Sequence, residues 1–162
     1  MTLLPQSLVG VERIVSYQVR EQEMVRRLLP DVAEFARKPE IMATAWLVGV
    51  CEWPAMDVLR EYMTDSECSL GTGIAIRHRA PVPPGARLRV STRCMQVKGA
   101  FSEWAVDAHD DVEQVADGTV GFVIVECEYF VRQRIAPKAA ALTSNGRPRC
   151  EQFWEQQPST RH

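Results

Sequence analysis

The sequence predicts an α+β fold in which a five-stranded antiparallel sheet wraps around one long central helix. One strand pattern, at residues 11–20, precedes a long apolar helix pattern at 39–63, and four further strand patterns follow in sequence. The helix is apolar nearly all round, as expected if the sheet buries it almost completely. The length of 162 residues and the 46% hydrophobic content fit a single domain with one sizeable core.

The first half of the chain predicts a strand, an irregular segment and the central helix. Residues 11–20, VERIVSYQVR, are rich in β-branched and aromatic residues, which favour a strand. Residues 21–38 are charged and irregular, with short helical turns only. The helix is expected to begin at Pro39, which suits a first helical turn, and to kink at Pro54 because proline removes one helical hydrogen bond.

Four strands are expected after the helix, connected by turns that contain proline, glycine or aspartate. The second of these four strands alternates clearly, with Leu88 and Val90 on one face and Arg87 and Arg89 on the other. The last connection is expected at 110–118, because two aspartates and a glycine bracket it. The four expected strands span residues 69–80, 87–97, 101–109 and 119–131.

The composition changes near Pro137. Residues 1–136 are expected to form the folded domain. Residues 137–162 are expected to be a polar extension, flexible or loosely docked, because most of this segment is turn-rich and lacks periodicity.

Charge, cysteine content and hydropathy exclude several classes of function. A net charge of −2 offers no bulk attraction for nucleic acid or an anionic membrane. The five cysteines form no CxxC pair and no zinc-binding spacing, so reduced thiols in the cytoplasm and no metal site are expected. The first ten residues lack the features of a signal peptide, and the longest apolar run, 41–51, is too short to span a bilayer.

A glutamate interrupts the apolar helix pattern in the stretch ATAWLVGVCEWPAM, at Glu52. An ionised carboxylate on a face that packs against the core is costly unless it is paired or lines a cavity. The helical spacing places Glu52 in the middle of an apolar stripe. That stripe consists of Ile41, Ala45, Val48, Glu52, Ala55 and Leu59.

Two further polar residues are expected at the interface between helix and sheet. Thr44 lies two turns before Glu52 on the same helix, and strand alternation places His78 on the face that carries Ile74 and Ile76. Taken singly, each has a structural explanation: a satisfied core histidine, a threonine bonded to its own helix, or a glutamate paired with an arginine. Their convergence on one surface indicates a functional site.

Three segments of the sequence carry a resemblance to a known family: EIMATAWLVGVCEWPAMDVL, GTGIAIRHRAPVPPGARLRV and DAHDDVEQVADGTVGF. Together they resemble the fluoroacetyl-CoA thioesterase-like branch of the hotdog superfamily over about residues 39–130. The resemblance implies the hotdog fold and a homodimer with active sites at the subunit interface. It implies acyl thioesters as substrates, no cofactor, and Thr44, Glu52 and His78 as the catalytic residues.

The resemblance and the residues together indicate where the substrate would bind. Phe35 falls near a position where the family has a lid aromatic, whereas Lys38 stands where a second would be. Glycines permit close backbone approach, so an oxyanion hole is expected near Gly71–Gly73. Arg77 and Arg79 either meet the phosphates of coenzyme A or a carrier-protein arm, or form a solvated sheet face. The expected substrate-binding residues are Phe35, Gly71, Thr72, Gly73, Arg77 and Arg79.

The expected function is hydrolysis of a small or medium acyl thioester, carried by coenzyme A or by an acyl-carrier protein. Glu52 is expected either to activate water or to attack the thioester directly, and the sequence does not choose between these routes. Two alternatives remain open. One is a hotdog enzyme with another reaction, such as a dehydratase; the other is a noncatalytic acyl-binding module, favoured by Val120 where the family commonly has a histidine.

Overall fold

The computed structural model describes residues 2–144, and it confirms the α+β architecture with a five-stranded antiparallel sheet. The strands lie in the order β1-β3-β4-β5-β2, so the first two strands along the chain form the two edges. The strands are β1 (Glu12–Gln18), β2 (Glu67–His78), β3 (Arg87–Lys98), β4 (Phe101–His109) and β5 (Gln114–Glu126). The α-helices in the same compact unit as the sheet are the short α1 (Val25–Leu28) and α2 (Ala33–Ala36) and the long α3 (Thr44–Arg60).

Helix α3 packs one face, and not its whole circumference, against the sheet. It contacts β1, β2, β3 and β4 through its buried residues. The opposite face leaves Trp46, Trp53 and Met56 more than two-fifths exposed. The expectation of a nearly completely buried helix is therefore wrong, because the sheet of one chain covers only one side of it. The buried residues of α3 are Leu47, Val50, Cys51, Pro54, Ala55, Val58 and Leu59.

The helix begins at Thr44, five residues later than the sequence suggested. The backbone that precedes it is bonded elsewhere: Met42 forms an isolated bridge with Met24 and donates to the Val82 carbonyl, at 2.8 Å. Residues 39–43 therefore cannot provide a helical turn. At the other end the helix stops at Arg60, three residues before the expected Met63.

Strand β5 begins at Gln114, so the expected loop at 110–118 is shorter and the strand starts earlier than predicted. Gly118, expected in the connection, lies inside the strand with φ of 154°. A Cβ at this position would lie 1.9 Å from the carbonyl oxygen of Ala75, so the absent side chain lets β2 approach. The strand ends at Glu126, whose side chain accepts bonds from the amides of Glu128 and Tyr129 and caps a helix.

Strands β2 and β3 differ in their surroundings. In β3 the predicted alternation is confirmed, with Leu88 and Val90 fully buried, until a register shift between Cys94 and Gln96 interrupts it. In β2, an edge strand, residues 71–75 are all exposed. An exposed edge of this length is an association surface unless it is protected.

A second compact unit begins at Glu126. It contains α4 (Cys127–Phe130), a π-helical turn (Val131–Ile135) and α5 (Ala136–Ser144). A regular helix thus occupies the first part of the segment for which an irregular extension was expected, and its several alanines favour that conformation. The remainder of the predicted extension, residues 145–162, lies outside the described residues. In the described part of the chain no helix has the length and hydropathy needed to cross a membrane.

Candidate active site

Thr44 and His78 are in direct contact. Thr44 is the first residue of α3 and His78 is the last residue of β2, and the threonine Oγ1 lies 2.9 Å from Nδ1 of the imidazole. The other ring nitrogen, Nε2, is buried and has no hydrogen-bond partner among the residues that the structure describes. A buried polar nitrogen without a partner is unusual and points to a function.

Burial lowers the pKa of His78 below the usual value for histidine, and the carbonyl of Ala80 only partly offsets this effect. The imidazole is therefore neutral at pH 7 and can act as a hydrogen-bond donor at one nitrogen and an acceptor at the other. When the Thr44 hydroxyl donates to Nδ1, the ring proton lies on Nε2.

Glu52 lies on the flank of α3 that faces β2. A Cβ added to Gly71 would come 2.9 Å from its Oε1, so the carboxylate reaches the glycine-rich part of the edge strand. Glu52 is half-buried and forms no ion pair within the described residues. Burial raises the pKa of this carboxyl, which makes the ionised form a stronger base than an exposed glutamate.

The position of Glu52 differs from the expected one. The buried face of α3 is centred near Leu47, Cys51 and Val58, whereas Glu52 lies at its rim. The members of the predicted stripe differ in burial: Ala55 and Leu59 are fully buried, whereas Val48 is half-buried and Ala45 is exposed. The carboxylate therefore lines a boundary of the core, where a ligand can approach it.

One chain brings Thr44 to His78 but does not bring Glu52 to either. Glu52 contacts β2 at Gly71, seven residues before His78, and a strand rises about 3.3 Å per residue, or about 23 Å over that distance. Thr44 and Glu52 are eight residues apart on α3, which corresponds to about 12 Å along the axis. The three candidate catalytic residues thus form two separate groups in one chain.

The expected substrate-binding residues occupy several places. Gly71, Thr72 and Gly73 lie together in the exposed part of β2. Arg77 and Arg79 both bond the carboxylate of Asp117, at 2.6 Å for Arg77, so this one carboxylate offsets part of their combined charge.

Phe35 is the remaining expected substrate-binding residue, and Asp117 is a residue that the sequence analysis did not identify. Phe35 is half-buried on α2, and its backbone amide bonds the carbonyl of Val32. Sequence reasoning missed Asp117 because it had placed this residue in a loop; starting β5 at Gln114 puts it beside Arg77 of β2 and Arg79 just after that strand. Hydrogen bonds from the two arginines, Arg79 first and then Arg77, lower the pKa of Asp117 to about 2.

Among residues 2–144, the other reactive side chains do not form a second catalytic group. Burial raises the pKa of the Cys51 thiol to about 12, so it is a neutral core residue and not a nucleophile. His109 is exposed, as predicted, and its Nε2 lies 2.6 Å from Asp107. Among the described residues no cluster of three or more metal-ligating side chains is present.

Comparisons with known proteins agree with this fold and identify a family. Residues 21–128 match the family described as fluoroacetyl-CoA-specific thioesterase, FlK. The fluoroacetyl-CoA thioesterase of Streptantibioticus cattleyicolor is 36% identical over 129 residues, which cover 78% of this chain and 93% of that protein.

Solved structures extend the comparison. The structure of the fluoroacetyl-CoA thioesterase FlK has a TM-score of 0.74 and 36% identity, covering 78% of this chain and 96% of the other. A variant of that thioesterase in complex with fluoroacetate and CoA has a TM-score of 0.73 and 35% identity over 75% and 98% of the chains. A hot-dog-like protein from Thermanaerovibrio acidaminovorans, with a TM-score of 0.68 and 21% identity over 82% and 94%, shares the fold.

Proposed function

Because this chain belongs to the fluoroacetyl-CoA-specific thioesterase family, it is an acyl thioester hydrolase, and we propose that Glu52, Thr44 and His78 carry out the reaction. The observation that supports this assignment is the combination of two unsatisfied groups. Glu52 is half-buried without an ion pair, and His78 presents a buried Nε2 without a partner. Both groups are next to the same exposed edge strand, β2: Glu52 reaches it at Gly71, and His78 is its last residue.

The chemistry proposed for these residues is general base catalysis. The Glu52 carboxylate takes a proton from water, the water oxygen bonds to the thioester carbonyl carbon, and the C–S bond then breaks. His78, held at Nδ1 by Thr44, donates from Nε2 to the charge that develops on the oxygen or on the departing sulfur. Direct attack by Glu52, giving a mixed anhydride that water then hydrolyses, is the competing route.

The substrate we propose is a coenzyme A thioester of a small acyl group. The relatives named above act on or bind such molecules: fluoroacetyl-CoA for the curated relative, and fluoroacetate with CoA in the variant complex. An acyl-carrier-protein thioester is the alternative carrier. Contact of Arg77 and Arg79 with the phosphates remains a prediction, since both arginines already bond Asp117.

We further propose that the active enzyme is a homodimer joined through the β2 edge. Residues 71–75 are all exposed at this edge, and Ile74 is 51% exposed. Two-fold pairing of such an edge is antiparallel, because the symmetry reverses the direction of the partner strand. A stable interface of this kind buries more than about 1,000 Å².

Antiparallel pairing would also bring the separated groups together. The Gly71 end of one β2, where Glu52 lies, would approach the His78 end of the partner's β2. Each active site would then combine Glu52 from one subunit with Thr44 and His78 of the partner subunit. Within one chain, about 23 Å along β2 separates Gly71, beside Glu52, from His78. The proposed pairing would bring Glu52 and His78 together across the interface.

The activity is tested by thiol release from a panel of short, branched, aromatic and long acyl-CoA and acyl-carrier thioesters. Glu52→Gln keeps the shape of the side chain but removes the base, so hydrolysis should fall by about 100-fold or more. Folding should be unaffected or slightly improved. Glu61→Gln, which removes an exposed carboxylate at the C-terminal end of α3, is the control and should retain the parental rate. Parental hydrolysis by Glu52→Gln would end this assignment.

The division of the site between subunits is tested by mixing two inactive variants. A mixed dimer of Glu52→Gln and His78→Ala keeps one intact site if the groups act across the interface, and none if they act within one chain. Random mixing should therefore restore about a quarter of the parental rate, because half of the dimers are mixed and each has one intact site. Absence of any recovery, with subunit exchange verified by mass spectrometry, would contradict the shared site.

A further inference from the structure

Glu23 is a buried carboxylate that the chemistry above does not use. It is only 1% exposed, although Arg20, Glu21 and Gln22 directly before it are exposed. Buried carboxylates are rare unless they are paired and hydrogen-bonded. Its surroundings therefore need an explanation.

Three donors satisfy this carboxylate. The amide and the Nε of Arg20 donate to it, at 2.9 and 2.8 Å, and the hydroxyl of Tyr17 donates to Oε1. The Arg20 guanidinium also donates to the Tyr17 oxygen at 3.0 Å. Burial alone would raise the pKa of Glu23, but these hydrogen bonds lower it below the usual value, so the group is ionised at neutral pH.

The backbone around Glu23 is bonded to the residues that precede α3. The carbonyl of Glu23 accepts from the amide of Ala43 at 2.9 Å, and the next residue, Met24, forms a bridge with Met42. The amide of Val25 donates to the carbonyl of Ile41 at 2.8 Å. Segment 23–25 therefore fixes segment 41–43, directly before Thr44.

The same short segment is bonded to the chain that follows His78. The amide of Met42 donates to the carbonyl of Val82, at 2.8 Å, four residues after the histidine. Three segments thus meet at one junction, defined by residues 23–25, 41–43 and Val82. Thr44 directly follows segment 41–43, and His78 lies four residues before Val82. The 2.9 Å contact between Thr44 and His78 therefore joins two of the three segments that meet at this junction.

From these contacts we infer that Glu23 is a positioning residue, which holds the junction and so keeps the Thr44 hydroxyl against the His78 imidazole. The inference rests on the proposed function only in that it gives this pair a role in hydrolysis. Small displacements of positioned groups can reduce a rate by about 10-fold to 100-fold. Replacement of Glu23 should therefore affect turnover more than substrate binding.

The chain offers a matched control for a buried glutamate. Glu67 is 4% exposed and accepts from Thr2 and from Thr64, but it lies at the start of β2 and anchors the N-terminal segment. If burial and hydrogen bonding alone mattered, Glu23→Gln and Glu67→Gln would behave alike. If Glu23 positions the catalytic pair, only its replacement should disturb that pair.

The experiment measures kcat and KM for the full-length parent and for three full-length variants, together with the titration of the His78 ring by NMR. We expect Glu23→Gln to lower kcat by about 10-fold with KM nearly unchanged. The pKa of His78 should move up toward the usual histidine value as the ring becomes more exposed. Glu67→Gln should leave both measurements as in the parent while it remains folded. Tyr17→Phe, which removes one donor to Glu23 with little change of shape, should act in the same direction but more weakly.

Three results would overturn the inference. They are an unchanged kcat and an unchanged His78 titration in Glu23→Gln, an equal loss of kcat in Glu23→Gln and Glu67→Gln, or a change confined to KM. If Glu23→Gln fails to fold, Tyr17→Phe decides by the same criteria. If the parent hydrolyses no thioester, the proposed function fails, and the His78 titration alone then decides whether Glu23 positions the pair.

Discussion

A methyl group at Gly71 would lie 2.9 Å from Oε1 of Glu52, a distance that real side chains essentially never show. The glycine of β2 and the glutamate of α3 are therefore fitted to each other. The atom that would have to move is the end of a flexible side chain and not backbone. The consequence of filling this space should be a displaced carboxylate and an otherwise intact fold.

Gly71→Ala should therefore reduce hydrolysis without a large loss of stability. We expect a rate reduction of about 10-fold, because displacement of a catalytic group by a fraction of an ångström to 1 Å weakens its alignment. Two quantities are measured for Gly71→Ala and for the parent: kcat, and the free energy of unfolding in urea. In the double variant Gly71→Ala/Glu52→Gln the glycine substitution should cause no further loss, since the displaced group is already absent. Additive losses would show that Gly71 acts independently of Glu52.

His78→Ala should lower turnover more than it changes the apparent substrate constant, because the imidazole acts on the transition state. We expect a loss of about 100-fold in kcat. His109→Ala is the matched control, since that histidine is exposed and bonded to Asp107. If His109 proved to be the critical histidine, both the strand alternation and the assignment of His78 would be wrong.

Ile74→Lys should separate the subunits and abolish hydrolysis together. A lysine at the middle of an exposed edge strand opposes pairing with a second copy, since like charges then meet across the two-fold axis. Met95→Lys, on β3 and similarly exposed at 54%, is the control and should leave both properties unchanged. Analytical ultracentrifugation gives the mass. A monomer near 18 kDa that hydrolyses thioesters at the parental rate would exclude a site built at the interface.

Glu67 should make the fold sensitive to acid. Hydrogen bonds, first from the Thr2 side chain, lower its pKa from 4.5 to about 2 in the folded chain. A group with a depressed folded pKa stabilises the protein above its unfolded pKa, and this contribution is lost as the pH falls from about 4.5 to about 2. Urea unfolding at pH 7, 5 and 3 should show a smaller pH dependence for Glu67→Gln than for the parent. Glu34→Gln, which also removes one carboxylate, exposed on α2, is the control for the loss of one charge.

The amino-acid sequence determined the fold class and the alternation of the central strands. Leu88 and Val90 were assigned to the buried face of β3 by period-two alternation, and they are fully buried. That pattern is local and survives folding because each strand has one face toward the core. Likewise, His78 followed from alternation along β2, and its contact with Thr44 agrees with that assignment.

The tertiary structure decided where the elements begin and where Glu52 lies. Met42 and Ala43 are compatible with a helix by sequence, but hydrogen bonds to Val82 and Glu23 take up their amides and delay α3 to Thr44. Gly118 resembles a turn residue, yet the close approach of Ala75 places it inside a strand. The helical stripe could show that Glu52 shares a side with apolar residues. Which edge of the sheet that side faces depends on packing between segments distant in the chain, and local periodicity does not contain that information.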